Sequence, residues 1–147
     1  MQIKTKALGN VEINENQIVT FPHGLYGFED YKKYALIDSK YKPLIWLQSL
    51  DESSLAFLMI DPFLIEENYE ADIDDSELSK IDVKDPSDLL VMTIITVPND
   101  GSPVTANFQG PLIINKKNRL CMQAVLDGEK YSTKHNIVEA LKRKEKN

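Results

Sequence analysis

Between Ile3 and Leu126 the chain is cut into ten apolar or alternating segments of three to ten residues, most of them closed by glycine, proline, asparagine or aspartate. Segments that short are marginal as isolated helices, and alternation dominates those in the first half of the chain. IKTKAL and VEI alternate, and QIVTF adds β-branched and aromatic residues. Gly9-Asn10 and Asn14–Asn16 supply turns between them, so the three read as a meander. YALID (34–38) is a fourth strand. PLIWLQS and SLAFLMI (54–60) are apolar nearly throughout, which predicts strands covered on both faces. The short link LDES makes them an antiparallel hairpin, and Asp61-Pro62 ends the second, since proline offers no ladder donor. DLLVMTIITV (88–97) is the strongest strand signal and stops at the turn Pro98-Asn99-Asp100-Gly101. VTANF, PLIIN and RLCMQAVL follow, with Lys116-Lys117-Asn118 as a turn.

Helical pattern is scarce. FEDYKKY and FLIEENY each have room for one turn, YEADI alternates like an edge strand, and SELSKI is a short helix with Asp74, Asp75 and Ser76 as candidate N-caps. HNIVEALKRKEKN is a short amphipathic helix running into a charged terminus. No strand–helix series occurs, which argues against a doubly wound sheet. The expected fold is mostly β: a small antiparallel β-barrel-like single domain of nine or ten strands with two or three short helices, over residues 1–138, followed by a charged C-terminal tail, 139–147.

Within 147 residues one core is expected. No apolar run approaches the roughly 20 residues of a membrane-spanning helix, and MQIKTKALGNVEI has no apolar signal core. The reading is a cytoplasmic, monomeric protein without membrane contact. Cys121, the one cysteine, lies in an alternating run and is expected to be a buried, inert thiol. Charge is uneven: residues 61–90 hold eleven acids against Lys80 and Lys84, while residues 115–147 hold nine Lys or Arg against four acids, within a net charge of −6. Acidity disfavours direct nucleic-acid binding. The acidic middle suits a basic protein partner, and equally a plain solvated face.

Chemistry finds little to hold. The two histidines stand 112 positions apart, and Asp72, Asp74 and Asp75 lack the glycine of a calcium loop, so no metal site is expected. Neither a GxSxG elbow nor a GxxxxGK[ST] loop is present, and no catalytic residue or cofactor is expected. FPHGLYGFEDY (21–31) could have been a phosphate cradle. Leu25 and Tyr26 separate its glycines, no Lys or Arg lies among its residues, and Glu29 and Asp30 would repel an anion. It reads as a structural corner, with His23, Glu29 and Asp30 at most on the rim of a protein-binding face.

Five phrases, IVTFPHGLYGFEDYKKYAL (18–36), LIWLQSLDESSLAFLMIDP (44–62), VMTIITVP (91–98), TANFQGPLIIN (105–115) and QAVLDGEKYSTKH (123–135), together resemble the flagellar assembly factor FliW family. The likeness runs from about residue 11 to residue 138. Its one visible departure is Tyr26, where the family's GLPGF phrase commonly has proline. The resemblance implies a non-catalytic bacterial regulator with a small β-barrel-like fold. It would bind newly made flagellin and, by partner switching, the RNA-binding translational repressor CsrA, relieving repression of flagellin translation. A flagellin-specific secretion chaperone with no role in translation, or a small-molecule enzyme with an enclosed polar pocket, are the alternatives. From position and chemistry the partner-binding residues are Asp51, Glu52, Asp61 and Phe63 on turns, with Asn107 and Phe108 in the polar-aromatic break between two apolar strands. Phe63 and Phe108 fit a hydrophobic core equally well.

Overall fold

A computed structural model of the chain describes residues 1–145. Among the described residues, strands β1 (Gln2–Thr5) and β2 (Gly9–Glu12) pair only with each other. The other nine strands are β3 (Ile18–Thr20), β4 (Lys33–Asp38), β5 (Ile45–Ser49), β6 (Ala56–Ile60), β7 (Leu89–Thr96), β8 (Thr105–Ala106), β9 (Leu112–Asn115), β10 (Cys121–Gln123) and β11 (His135–Asn136). They form one sheet in the order β10-β9-β7-β6-β5-β4-β3, with β8 on β7 and β11 on β8. β7 is the longest at eight residues. One of its edges pairs with β6 over Thr93–Ile95; the other pairs first with β9 over Leu89–Met92 and then with β8 over Ile95–Thr96. The ends of the sheet meet at one parallel bridge, Thr20 to Leu120, where the Thr20 N–H donates to the Arg119 carbonyl at 3.0 Å. Among the described residues the barrel-like curl is therefore joined at a seam by a single bridge, without a closing ladder.

Alternation along each strand decides what goes inside. Val19, Phe21, Tyr34, Leu47, Met59, Met92, Leu112, Ile114 and Cys121 form the central cluster. On the other faces Ile60, Ile95, Phe108, Leu126 and Ile137 gather around Tyr69, Ile113 and Met122 pack under Ile81, and Ala35 and Ile37 lie under the β1–β2 hairpin with Ile13. All four residues of β9 are consequently buried. Cys121 is buried too, and burial pushes its thiol well above the ordinary range. α1 (Asp75–Leu78) runs into a 3-10 turn at Ser79–Ile81, and α2 (Val138–Glu145) closes the described chain. Further 3-10 turns are Glu15–Gln17, Pro62–Leu64 and Pro86–Asp88. No described helix is long and apolar enough to cross a membrane.

Several sequence expectations are corrected. The first three strands make no meander, because β2 stays with β1 and β3 goes to β4. Asn14 sends the chain from one sheet to the other, its Oδ1 accepting from the Asn16 N–H at 2.9 Å. FEDYKKY holds one hydrogen-bonded turn, the Tyr31 N–H donating to the Phe28 carbonyl at 3.1 Å, but no helix, and its end enters β4. YEADI is not a strand: Tyr69 donates its hydroxyl to the Phe108 carbonyl at 2.7 Å, and the Glu70 N–H donates to the Tyr131 hydroxyl at 2.8 Å. Side-chain bonds there take the place of a ladder. His135 and Asn136 belong to β11 instead of the terminal helix, and the Asn136 Oδ1 accepts from the Val138 N–H at its start. Lys146 and Asn147 of the expected tail lie outside the described residues.

Candidate interaction surface

The corner FPHGLYGFEDY is anchored by Phe21 and Leu25, both buried in the central cluster. Gly24 turns it at φ +70°, and the Gly24 N–H donates to the Phe21 carbonyl at 2.9 Å. The loop then crosses to β10. There the Tyr26 N–H donates to the Gln123 Oε1 at 3.1 Å, while the Gln123 amide donates to the Gly110 carbonyl at 3.1 Å. This places one wall of a groove. The opposite wall is the segment from Asp72 through α1 to Lys80. It is held by Ile81, which packs on Ile113, Met122 and Ala124, and whose carbonyl accepts from the Asn115 and Asn118 side-chain amides at 3.0 and 3.1 Å.

Between the walls lies a groove of about 260 Å³, floored by Met122, Gln123, Ala124 and Val125, with Asp127 at its end. A recess of about 120 Å³, bordered by His23, Gly24 and Glu29, adjoins it through Tyr26, Glu77 and Gln123. Five carboxylates (Glu29, Asp72, Asp74, Glu77 and Asp127) line the pair, against Lys80, whose Nζ sits 3.0 Å from the Glu77 Oε2. The Gly27 N–H, then Glu29's own N–H and the Lys32 charge, hold the Glu29 carboxyl below the usual range, so it is ionised at neutral pH. Tyr26 and Val125 stay 64% and 60% exposed at its margin. An open, acidic, partly apolar groove suits a protein segment better than a small molecule, which needs enclosure. Among the described residues no three His, Cys, Asp or Glu converge to hold a metal ion.

The residues singled out from the sequence do not assemble into one surface. Asp51 and Glu52 are exposed on the β5–β6 turn, their N–H groups donating to the Ser49 Oγ at 3.2 and 3.0 Å. Asp61 and Phe63 stand at the far end of β6, where the Asp61 Oδ1 accepts from the Phe63 N–H at 2.9 Å and caps the 3-10 turn. Phe63 is 44% exposed and meets Tyr69 edge-on at 5.7 Å between ring centroids. Phe108 is fully buried, stacked on His135 at 4.1 Å and edge-on to Tyr69 at 5.1 Å between ring centroids, so it belongs to the core. Asn107 is a turn residue: its Oδ1 accepts from the Gly110 N–H at 2.8 Å, and its own N–H donates to the Ile94 carbonyl. The groove lies apart from these six residues, although His23 and Glu29, expected at most on the rim of a protein-binding face, border its recess. Its signal in the sequence is the acid spacing of Asp72, Asp74 and Glu77, together with the tyrosine between the two glycines of the corner.

The family model described as FliW protein matches residues 2–137. The flagellar assembly factor FliW of Treponema denticola is 55% identical over 141 residues, covering 96% of this chain and 96% of that protein. The Treponema pallidum protein of the same name is 51% identical, covering 94% and 92%. A crystal structure of the flagellar assembly factor FliW aligns with a TM-score of 0.85 at 36% identity, over 93% of this chain and 96% of that one.

Proposed function

The chain belongs to the FliW family, and on that premise we propose that it acts without catalysis, in the cytoplasm, as a regulator of flagellar assembly. In this reading it binds flagellin and, by switching partners, the RNA-binding translational repressor CsrA. Captured CsrA no longer represses flagellin translation; accumulating flagellin displaces it and restores repression. The observation that carries the reading is the acidic groove between the glycine corner and α1, with five carboxylates and two exposed apolar side chains. A protein that binds RNA presents basic surface, which such a groove complements.

The test is a binding assay with purified CsrA and flagellin. CsrA is expected to associate about tenfold more slowly when salt is raised from low to several hundred millimolar, since steering is screened beyond the Debye length. Flagellin is expected to release bound CsrA. No complex with CsrA, or a stable ternary complex with both partners, overturns the partner switch.

A further inference from the structure

The register of β10 leaves part of its main chain without a partner. The Asn115 N–H donates to the Leu120 carbonyl, the Ala124 N–H to the Pro111 carbonyl and the Leu126 N–H to the Gln109 carbonyl, at 2.9, 2.9 and 2.8 Å. Even-numbered residues from 120 to 126 therefore face β9 and the residues just before it, Pro111 and Gln109, in an extended pairing that runs on past Gln123, where β10 ends. Because residues alternate sides in an antiparallel pair, Gln123 and Val125 turn their N–H and C=O groups to the opposite edge. At Leu120 that edge meets Thr20. Beyond it the chain leaves β3 as the glycine corner, and Tyr26 reaches only the Gln123 side chain. Among the described residues no main-chain hydrogen bond spans the edge at Gln123 or Val125.

We propose that this edge docks an extended, lysine- or arginine-bearing segment of a partner protein, which adds to β10 as a further strand. Three observations converge on that occupant. The unpartnered main-chain groups belong to alternate residues, as a strand's do, and both residues, Gln123 and Val125, line the groove of about 260 Å³. Exposed Val125 and Tyr26 offer apolar contact to alternate side chains of the guest. Asp72, Asp74 and Asp127 line the groove and can receive the guest's cations, while Glu77 is already paired with Lys80. A second copy of this chain fits badly, since pairing edge to edge would bring these carboxylates against their own images. The proposal goes beyond the partner switch, because it concerns how a basic segment is held and stands whether or not that segment comes from CsrA.

The test titrates the isotope-labelled protein with a capped heptapeptide of alternating lysine and valine, followed by NMR. Shifts and slowed amide exchange are expected at Gln123 and Val125. Methylating alternate peptide nitrogens is expected to weaken binding at least about tenfold by removing the strand's donors. Val125→Pro removes the outward N–H and is expected to act alike; should it fail to fold, the methylated peptide on the unaltered protein carries the result. Asp72→Asn with Asp74→Asn is expected to weaken binding about fivefold and to flatten its salt dependence. Equal binding of the methylated peptide, equal binding of a glutamate-for-lysine peptide, or protection confined to another edge overturns the proposal. Loss of peptide binding in Val125→Pro with CsrA capture intact supports the strand edge and separates it from the partner switch.

Discussion

Gly24 and Gly27 carry the same residue type for different reasons. Both have positive φ, +70° and +88°. A Cβ on Gly27 would meet open space, whereas one on Gly24 would lie 2.5 Å from the Glu29 Cα and 2.8 Å from its carbonyl oxygen. Gly27→Ala is therefore expected to cost only the left-handed backbone penalty, about 1 kcal/mol. Gly24→Ala adds a backbone clash and is expected to cost about 3 kcal/mol or more; urea unfolding of the two variants reads the difference, and equal losses would remove the close approach as its cause. Tyr34 is a second residue-scale case. It is buried, and its hydroxyl finds no hydrogen-bond partner among the described residues. Burial, then the nearby Asp51 charge, pushes its phenol up to about 12. A raised folded-state value means that the stability tied to the neutral phenol is complete below pH 10 and is lost as pH climbs toward 12. Tyr34→Phe removes both effects. It is expected to be neutral, or stabilising by up to about 1 kcal/mol, near pH 7 and to unfold at a higher alkaline pH; destabilisation at neutral pH would show that the hydroxyl has a partner.

Individual elements were legible in the sequence wherever burial alone shapes them. β5, β6, β7 and β9 are mostly apolar because nearly all of their residues, on either face, are buried or half-buried. YEADI misled because its alternation is real but its main chain bonds to the Tyr131 hydroxyl, a partner 61 residues away. The groove was half legible. Its acids could be read off, but their meeting with the glycine corner depends on the order β10-β9-β7 and on the Asn115–Ile81 bond, both long-range. The same limit left Phe63 and Phe108 unresolved until their surroundings were known. Phe108 fills the space among Tyr69, Tyr131 and His135, while Phe63 covers only the rim. Phe108→Ala is accordingly expected to cost about 3–5 kcal/mol, and Phe63→Ala less than about 1 kcal/mol. Thermal unfolding separates them, and a large loss at Phe63 would place it in the core after all.

Across the whole molecule, stability should be distributed as the pairing is. β4, β5, β6 and β7 have ladders on both edges, and the central cluster packs against all four. The seam between β3 and β10 has one bridge. Local opening needs only the bonds and buried contacts of the unit that moves, so the seam should open without unfolding the rest. Native-state hydrogen exchange is expected to place the β5 amides at the free energy of global unfolding. The Thr20 amide, although bonded to the Arg119 carbonyl, should exchange through an opening several kcal/mol cheaper. The seam also borders the corner that carries Tyr26, so a strand added at Gln123 and Val125 would tie down the part of the barrel that its own ladder leaves loose. Peptide binding is therefore expected to raise the protection of Thr20 without changing that of β5 beyond the shift in global stability. Thr20 protected as strongly as β5 in the free protein would mean that the side chains of Phe21 and Leu25, packed in the centre, hold the seam shut where hydrogen bonding does not.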